Sequence, residues 1–213
     1  MIKRIYVWEF PVRLTHWLNV LSILALAVTG IYIGAPFLFA VNENQFIMAK
    51  MRYVHFISSY VFTVSFLVRI YWMFAGNRFS RWRQFIPVGR ERLESLYGAT
   101  AYYCFLREKC PSMIGHTGLA GVTYLVLFIL FLFEILTGFA LYSQSHIGAF
   151  WTLMGGWLFS VIGAGAVRLI HHVIMWLIAA FAIVHIYVSW LNDLSERNGL
   201  MSSIFSGYKS VEQ

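Results

Sequence analysis

Four long stretches of this chain carry few charged side chains, and each is bounded by turn-forming or basic residues. They run from about Leu14 to Gly34, Tyr53 to Ala75, Leu119 to Ser143 and Val167 to Leu191. A helix rises about 1.5 Å per residue, so about 20 apolar residues cross the hydrocarbon of a bilayer. Each stretch reaches that length and is predicted as a spanning helix. Ala35-Pro36 stops the first and Gly76-Asn77 the second. The first apolar run is too long for a signal peptide and no small-x-small cleavage site follows it. Residues 147–166, IGAFWTLMGGWLFSVIGAGA, are also apolar, but glycine weakens a helix and almost nothing separates them from the next span. They are expected to rest outside the cytoplasm, on the bundle or a partner, with a fifth span as the alternative.

Arginine and lysine orient the spans. Lys3, Arg4 and Arg13 precede the first, seven more from Arg78 to Lys109 fill the connection 76–118, and Arg197 and Lys209 follow the last. Lys50, Arg52 and Arg168 lie on the other side. Basic residues favour cytoplasmic loops, so both termini and the long connection are expected there. That connection contains RERLESLYGATAYYCFLRE, a candidate interfacial helix with arginines near lipid headgroups. Composition agrees: 60% of the 213 residues are hydrophobic and 12% charged, against about a quarter charged in soluble domains. The expected fold is all-α, one integral membrane domain over 1–213, a four-helix bundle with a cytoplasmic interfacial helix. The net charge of +7 follows from topology and implies no nucleic-acid partner. Cys104 and Cys110 form no CxxC or CxxCH, which excludes covalent c-type haem attachment and leaves two thiols in a reducing compartment.

Among the seven histidines, His16, His55, His171 and His185 fall within the spans at depths that matter. Polar groups are costly in hydrocarbon, so each needs a reason to be there. His171 and His185 are 14 residues apart, which is roughly 21 Å along one helix and only about 40° around it. One ring therefore lies near each membrane face. His16 opens the first span on the cytoplasmic side, and His55 opens the second on the opposite side. With four spans His171 is level with His55, and His185 with His16. With five, the pairs would exchange: His55 with His185 and His16 with His171. Either way imidazoles from different helices meet in twos at two depths, as iron with two axial histidines in a helical bundle requires. The expectation is two b-type haems, His55/His171 outer and His16/His185 inner. Gly30, Gly34 and Gly138 could admit a flat macrocycle. Arg69, 14 residues after His55, and Arg13, near His16, could meet haem propionates or snorkel to headgroups. VTG at 28–30 and LTG at 136–138 echo each other.

The run RLTHWLNVLSILALAVTG at 13–30 resembles the first helix of the cytochrome b subunit of membrane-bound nickel–iron hydrogenases. HHVIMWLIAAFAIVH at 171–185 resembles its last helix. RIYWMFAGNRFS at 69–80, IGH at 114–116 and TGFALYS at 137–143 match the same subunit. The resemblance spans about residues 6–210 and departs at 144–166 and at Arg168, where some members carry another histidine. It implies a four-helix dihaem protein of the cytoplasmic (inner) membrane. Such a subunit anchors the iron–sulfur small subunit and the large subunit on the outer face, in complexes that could pair as a higher-order dimer. Related subunits serve formate dehydrogenases and other respiratory oxidoreductases.

By that analogy electrons pass from an iron–sulfur cluster through the outer and inner haems to a quinone, menaquinone or ubiquinone, near the cytoplasmic surface. The chain is then an electron-transfer subunit with no hydrogen-oxidising site of its own. His116 and Tyr187 are the candidate proton donors to quinone, each with a structural role as the plainer account. Glu134 is an intramembrane acid, most simply a protonated carboxyl bonded to another helix. His146 and His172 belong at the outer surface. Two rival classes stand beside this: a membrane anchor whose haems serve no quinone, and a small transporter or proton channel. A transporter should show discontinuous helices or repeated halves, and neither is clear in the sequence.

Overall fold

The structure, a computed structural model, describes residues 2–39, 42, 45–111 and 113–212. It is 73% helical. In chain order the elements are β1 (Ile2–Tyr6), α1 (Phe10–Gly34), α2 (Ile47–Ala75), α3 (Arg90–Tyr103), α4 (Gly118–Ser143), α5 (Ala149–Met154), α6 (Ala164–Glu196), α7 (Leu200–Ser206) and β2 (Tyr208–Glu212). Of these, α1, α2, α4 and α6 are long and apolar enough to cross a membrane. The all-α class and the four spans read from the apolar runs are therefore present. Leu24, Leu67, Trp176 and Ile183 stay more than half exposed on them, the outward apolar surface expected where lipid is the solvent.

The chain divides into two compact units, residues 10–72 and residues 2–9 with 73–212. In the first, α1 and α2 meet through two polar contacts. Ser65 Oγ donates to the Thr15 carbonyl at 3.2 Å, and Thr29 Oγ1 lies 2.9 Å from His55 Nδ1. The helix α1 starts one turn before the apolar run. Pro11 occupies its first turn, where a missing N–H costs nothing.

In the second unit α4 packs against α6, and α3 and α5 against α4. The N-terminus of α4 is capped by Thr117, whose side chain accepts from Ala120 N at 3.2 Å. Residues 147–166 do not make a fifth span. They form α5 and a 3-10 turn at Gly156–Ser160. Gly155 brings this segment onto α4: a Cβ there would fall 2.5 Å from Ala140 N and 2.6 Å from the Leu136 carbonyl. Beyond the lipid-length run, α6 continues through Asn192 and Asp193 to Glu196.

Sequence patterning did not predict β1 and β2, which pair antiparallel with Ile2 opposite Glu212 and Tyr6 opposite Tyr208. Gly207 precedes β2 at φ +88°, a conformation that suits glycine, and its carbonyl accepts from Val7 N and Trp8 N at 2.8 and 3.1 Å. Trp8 Nε1 donates to Ser203 Oγ at 3.0 Å. The ribbon sets residues 2–6 and 208–212 side by side.

Candidate haem-ligand site

Within residues 10–72 the two histidines sit at opposite ends of the helix pair. His55 meets Thr29, near the C-terminus of α1. His16 follows Thr15, whose carbonyl meets Ser65 near the C-terminus of α2. His16 and Thr29 are 13 residues apart on one helix, so the two levels are separated by roughly 20 Å. Arg69, one turn beyond Ser65, is buried at 7% exposure and lies at the His16 end of α2. Arg13 stands there too, its guanidinium carbon 6.0 Å from the Phe10 ring centre.

The second unit repeats this plan. His171 Nδ1 lies 3.0 Å from Thr137 Oγ1 on α4 and 3.3 Å from Glu134 Oε1. Glu134 thus reaches across to another helix, and the ring it meets is a candidate ligand. Gly138 leaves room for that ring, since a Cβ there would touch His171 Cε1 at 3.4 Å. At the other end of α6, His185 Nδ1 lies 3.4 Å from the Tyr124 hydroxyl, and its ring stacks on Phe181 at 5.5 Å and 9°. Tyr124 and Thr137 are 13 residues apart on α4, which again places two levels about 20 Å apart. All four histidines are half-buried.

His116 lies beside the lower level of this unit. Its ring is walled by Trp8 and Tyr124, each at 4.8 Å between centres, and by Phe85 at 5.7 Å. Arg92 fixes its backbone: Nη1 donates to the His116 carbonyl at 2.5 Å, and Nη2 to the Gln84 carbonyl at 2.6 Å and Gln84 Oε1 at 2.5 Å. Gly118 and Gly121 let α4 approach this clamp closely. Lys209 Nζ sits 5.7 Å from the centre of the Trp8 ring. Burial pushes that ammonium down to about 8, against the opposing pull of Glu196 and Asp193. Tyr187 is 58% exposed, two residues past His185 on α6. His146 is exposed and stacks on Tyr142, and His172 Nδ1 meets the Arg168 carbonyl at 2.8 Å.

The donor chemistry suits a bis-histidine haem. Thr29 Oγ1 is 2.6 Å from the Ala25 carbonyl, and Thr137 Oγ1 is 2.7 Å from that of Phe133. Each hydroxyl gives its proton to its own helix, so its oxygen accepts from the imidazole Nδ1–H. That tautomer carries the ring lone pair on Nε2, as a metal-bound histidine steadied by an outer partner requires.

The model of the prokaryotic cytochrome b561 family matches residues 7–207. This chain belongs to that family. Haem b is therefore the cofactor implied for this chain. Among its relatives is the probable Ni/Fe-hydrogenase B-type cytochrome subunit of Cupriavidus necator, 38% identical over 99% of this chain and 89% of that one. The protein of the same name from Bradyrhizobium diazoefficiens is 38% identical over 95% and 85%. The probable Ni/Fe-hydrogenase 1 B-type cytochrome subunit of Escherichia coli (strain K12) is 35% identical over 96% and 90%.

Sequence reasoning named the four histidines but not their partners. Thr29 and Thr137 were visible only as the echo of VTG and LTG. Tyr124 and Trp8 carried no local signal, since their neighbours His185, His116 and Ser203 are distant in sequence.

Proposed function

We propose that this cytochrome b561 is the membrane subunit of a nickel–iron hydrogenase and passes electrons from the small and large subunits, outside the cytoplasm, to quinone. The relatives' names, with matches over 85–90% of their length, support the partner. The observation that carries the electron-transfer reading is the repeated arrangement of two histidine levels, about 20 Å apart, in each unit. His55 with His171 would hold the outer haem b, and His16 with His185 the inner. Haem b, when bound, supplies one-electron carriage.

The chain's own residues do the rest. Thr29 and Thr137 hold the outer imidazoles, while Tyr124 and Phe181 hold that of His185. Arg13 and Arg69 stand at the His16 end to meet propionates. His116, held by Arg92 beside the Tyr124–His185 pair, is the better placed proton donor to quinone. Tyr187, exposed, suits an interfacial anchor. The paired terminal strands and the basic connection 76–118 support placing both termini in the cytoplasm, on the inner membrane.

The test is purification with its partners, followed by metal analysis and reduced-minus-oxidised spectra. Nickel with two protohaems per chain is expected. His16→Ala and His185→Ala should each remove the same haem and abolish hydrogen-to-quinone electron transfer. Loss of different haems in these two variants overturns the pairing, and intact quinone reduction overturns the function.

A further inference from the structure

The two threonines of the echoed T-G pairs do something that other threonines of the spans do not. Thr63 and Thr123 bond back to their own helices, to the Ser59 and Leu119 carbonyls at 2.8 Å each, a common way to satisfy a hydroxyl in an apolar helix. Thr29 and Thr137 make that bond and in addition lie 2.9 and 3.0 Å from Nδ1 of a histidine on the next spanning helix of their unit, with Glu134 Oε1 also 3.3 Å from that of His171; a hydroxyl whose proton goes to its own helix is left to accept Nδ1–H. Both are almost wholly buried, at 4% and 3% exposure, so water cannot substitute for either hydroxyl.

We infer that Thr29 and Thr137 are a matched pair of positioning residues that fix the ring plane and tautomer of His55 and His171 and set the reduction potential of the haem they hold. The inference rests on the haem reading above. An acceptor on Nδ1–H makes the imidazole a more basic ligand and favours the ferric iron, which lowers the potential. The placement in α1 and α4 also gives the echoed T-G pairs a function: each unit contributes one threonine–histidine module. If His55 and His171 share an iron, both modules act on one haem, and the other haem is tuned by different groups, Tyr124 among them.

The experiment uses the complex purified from membranes, with Thr29→Val, Thr137→Val, the matching serine variants and Thr63→Val as control. Potentiometric titration of the haem bands and low-temperature EPR of the ferric forms are read for each. Both valine variants should raise the potential of one and the same haem and change its EPR g-values. A net hydrogen bond is worth about 0.5–1.5 kcal/mol, so the reduced-to-oxidised ratio should rise by up to about tenfold, or 59 mV. The serine variants should restore the wild-type values, and Thr63→Val should leave them alone. Wild-type potentials and spectra in both valine variants would overturn the inference. Shifts on two different haems would support the threonine role and overturn the pairing of His55 with His171, while a wild-type complex without haem would overturn the parent reading.

Discussion

Arg92 is the point at which the loop chemistry and the spans meet, and replacing it with methionine tests that connection. Its side chain is 9% exposed and donates to the His116 carbonyl, the Gln84 carbonyl and Gln84 Oε1. Methionine fills a similar volume and donates nothing. A buried acceptor left without a donor costs about 1–3 kcal/mol. The Gln84 side chain can turn away, since its Nε2 already donates to the Arg78 carbonyl at an exposed site. The two backbone carbonyls cannot. The expected loss for the two carbonyls is therefore about 2–6 kcal/mol, on the order of 10 °C in melting temperature for a chain of this size. Melting of the detergent-solubilised complex, followed by loss of the haem absorption band, measures it. Arg92→Lys keeps the charge but not the fork geometry and should fall between. His116 should move with its carbonyl, so quinone reduction should drop in Arg92→Met before the haem content does. A melting temperature within about 2 °C of wild type would refute the argument that this clamp holds the loop to α4.

Three further outcomes follow from other contacts. Lys209 has a native pKa near 8 against an ordinary value of 10.5. Between these values the folded chain has released a proton that the unfolded chain keeps, so stability should rise with pH through this window. The gain is at most about 3 kcal/mol, and pH-dependent melting should lose it in Lys209→Met. Tyr124→Phe removes the hydroxyl 3.4 Å from His185 but keeps the ring against His116; a potential shift of the haem proposed at His185, smaller than that of the threonine variants, is expected by redox titration. Gly155→Val would push a side chain into the backbone of α4 at Ala140, and should detach the segment around α5, read as faster protease cleavage between α4 and α6.

The spans and the histidines were legible because both answer to the lipid. A run such as YLVLFILFLFEIL has few other uses, and an imidazole within one needs a partner. Helix ends were less legible: α6 runs on through Asn192 and Asp193, where hydropathy falls but nothing breaks the helix. The strands β1 and β2 are five residues each, too short for an alternation to register, and each finds its partner at the other end of the sequence. The glycines of 147–166 gave a fair warning against a fifth span, and Gly155 shows one reason they are there: close approach to α4. The threonine–histidine contacts lay half in view, as two T-G pairs whose meaning depends on which ring each one faces.

The bond from Trp8 to Ser203 bridges 195 positions. During synthesis the indole that walls His116 cannot make this bond until the last long apolar helix has already left the ribosome. The compartment around His116 therefore closes only after the helices that carry all four candidate ligands have been made.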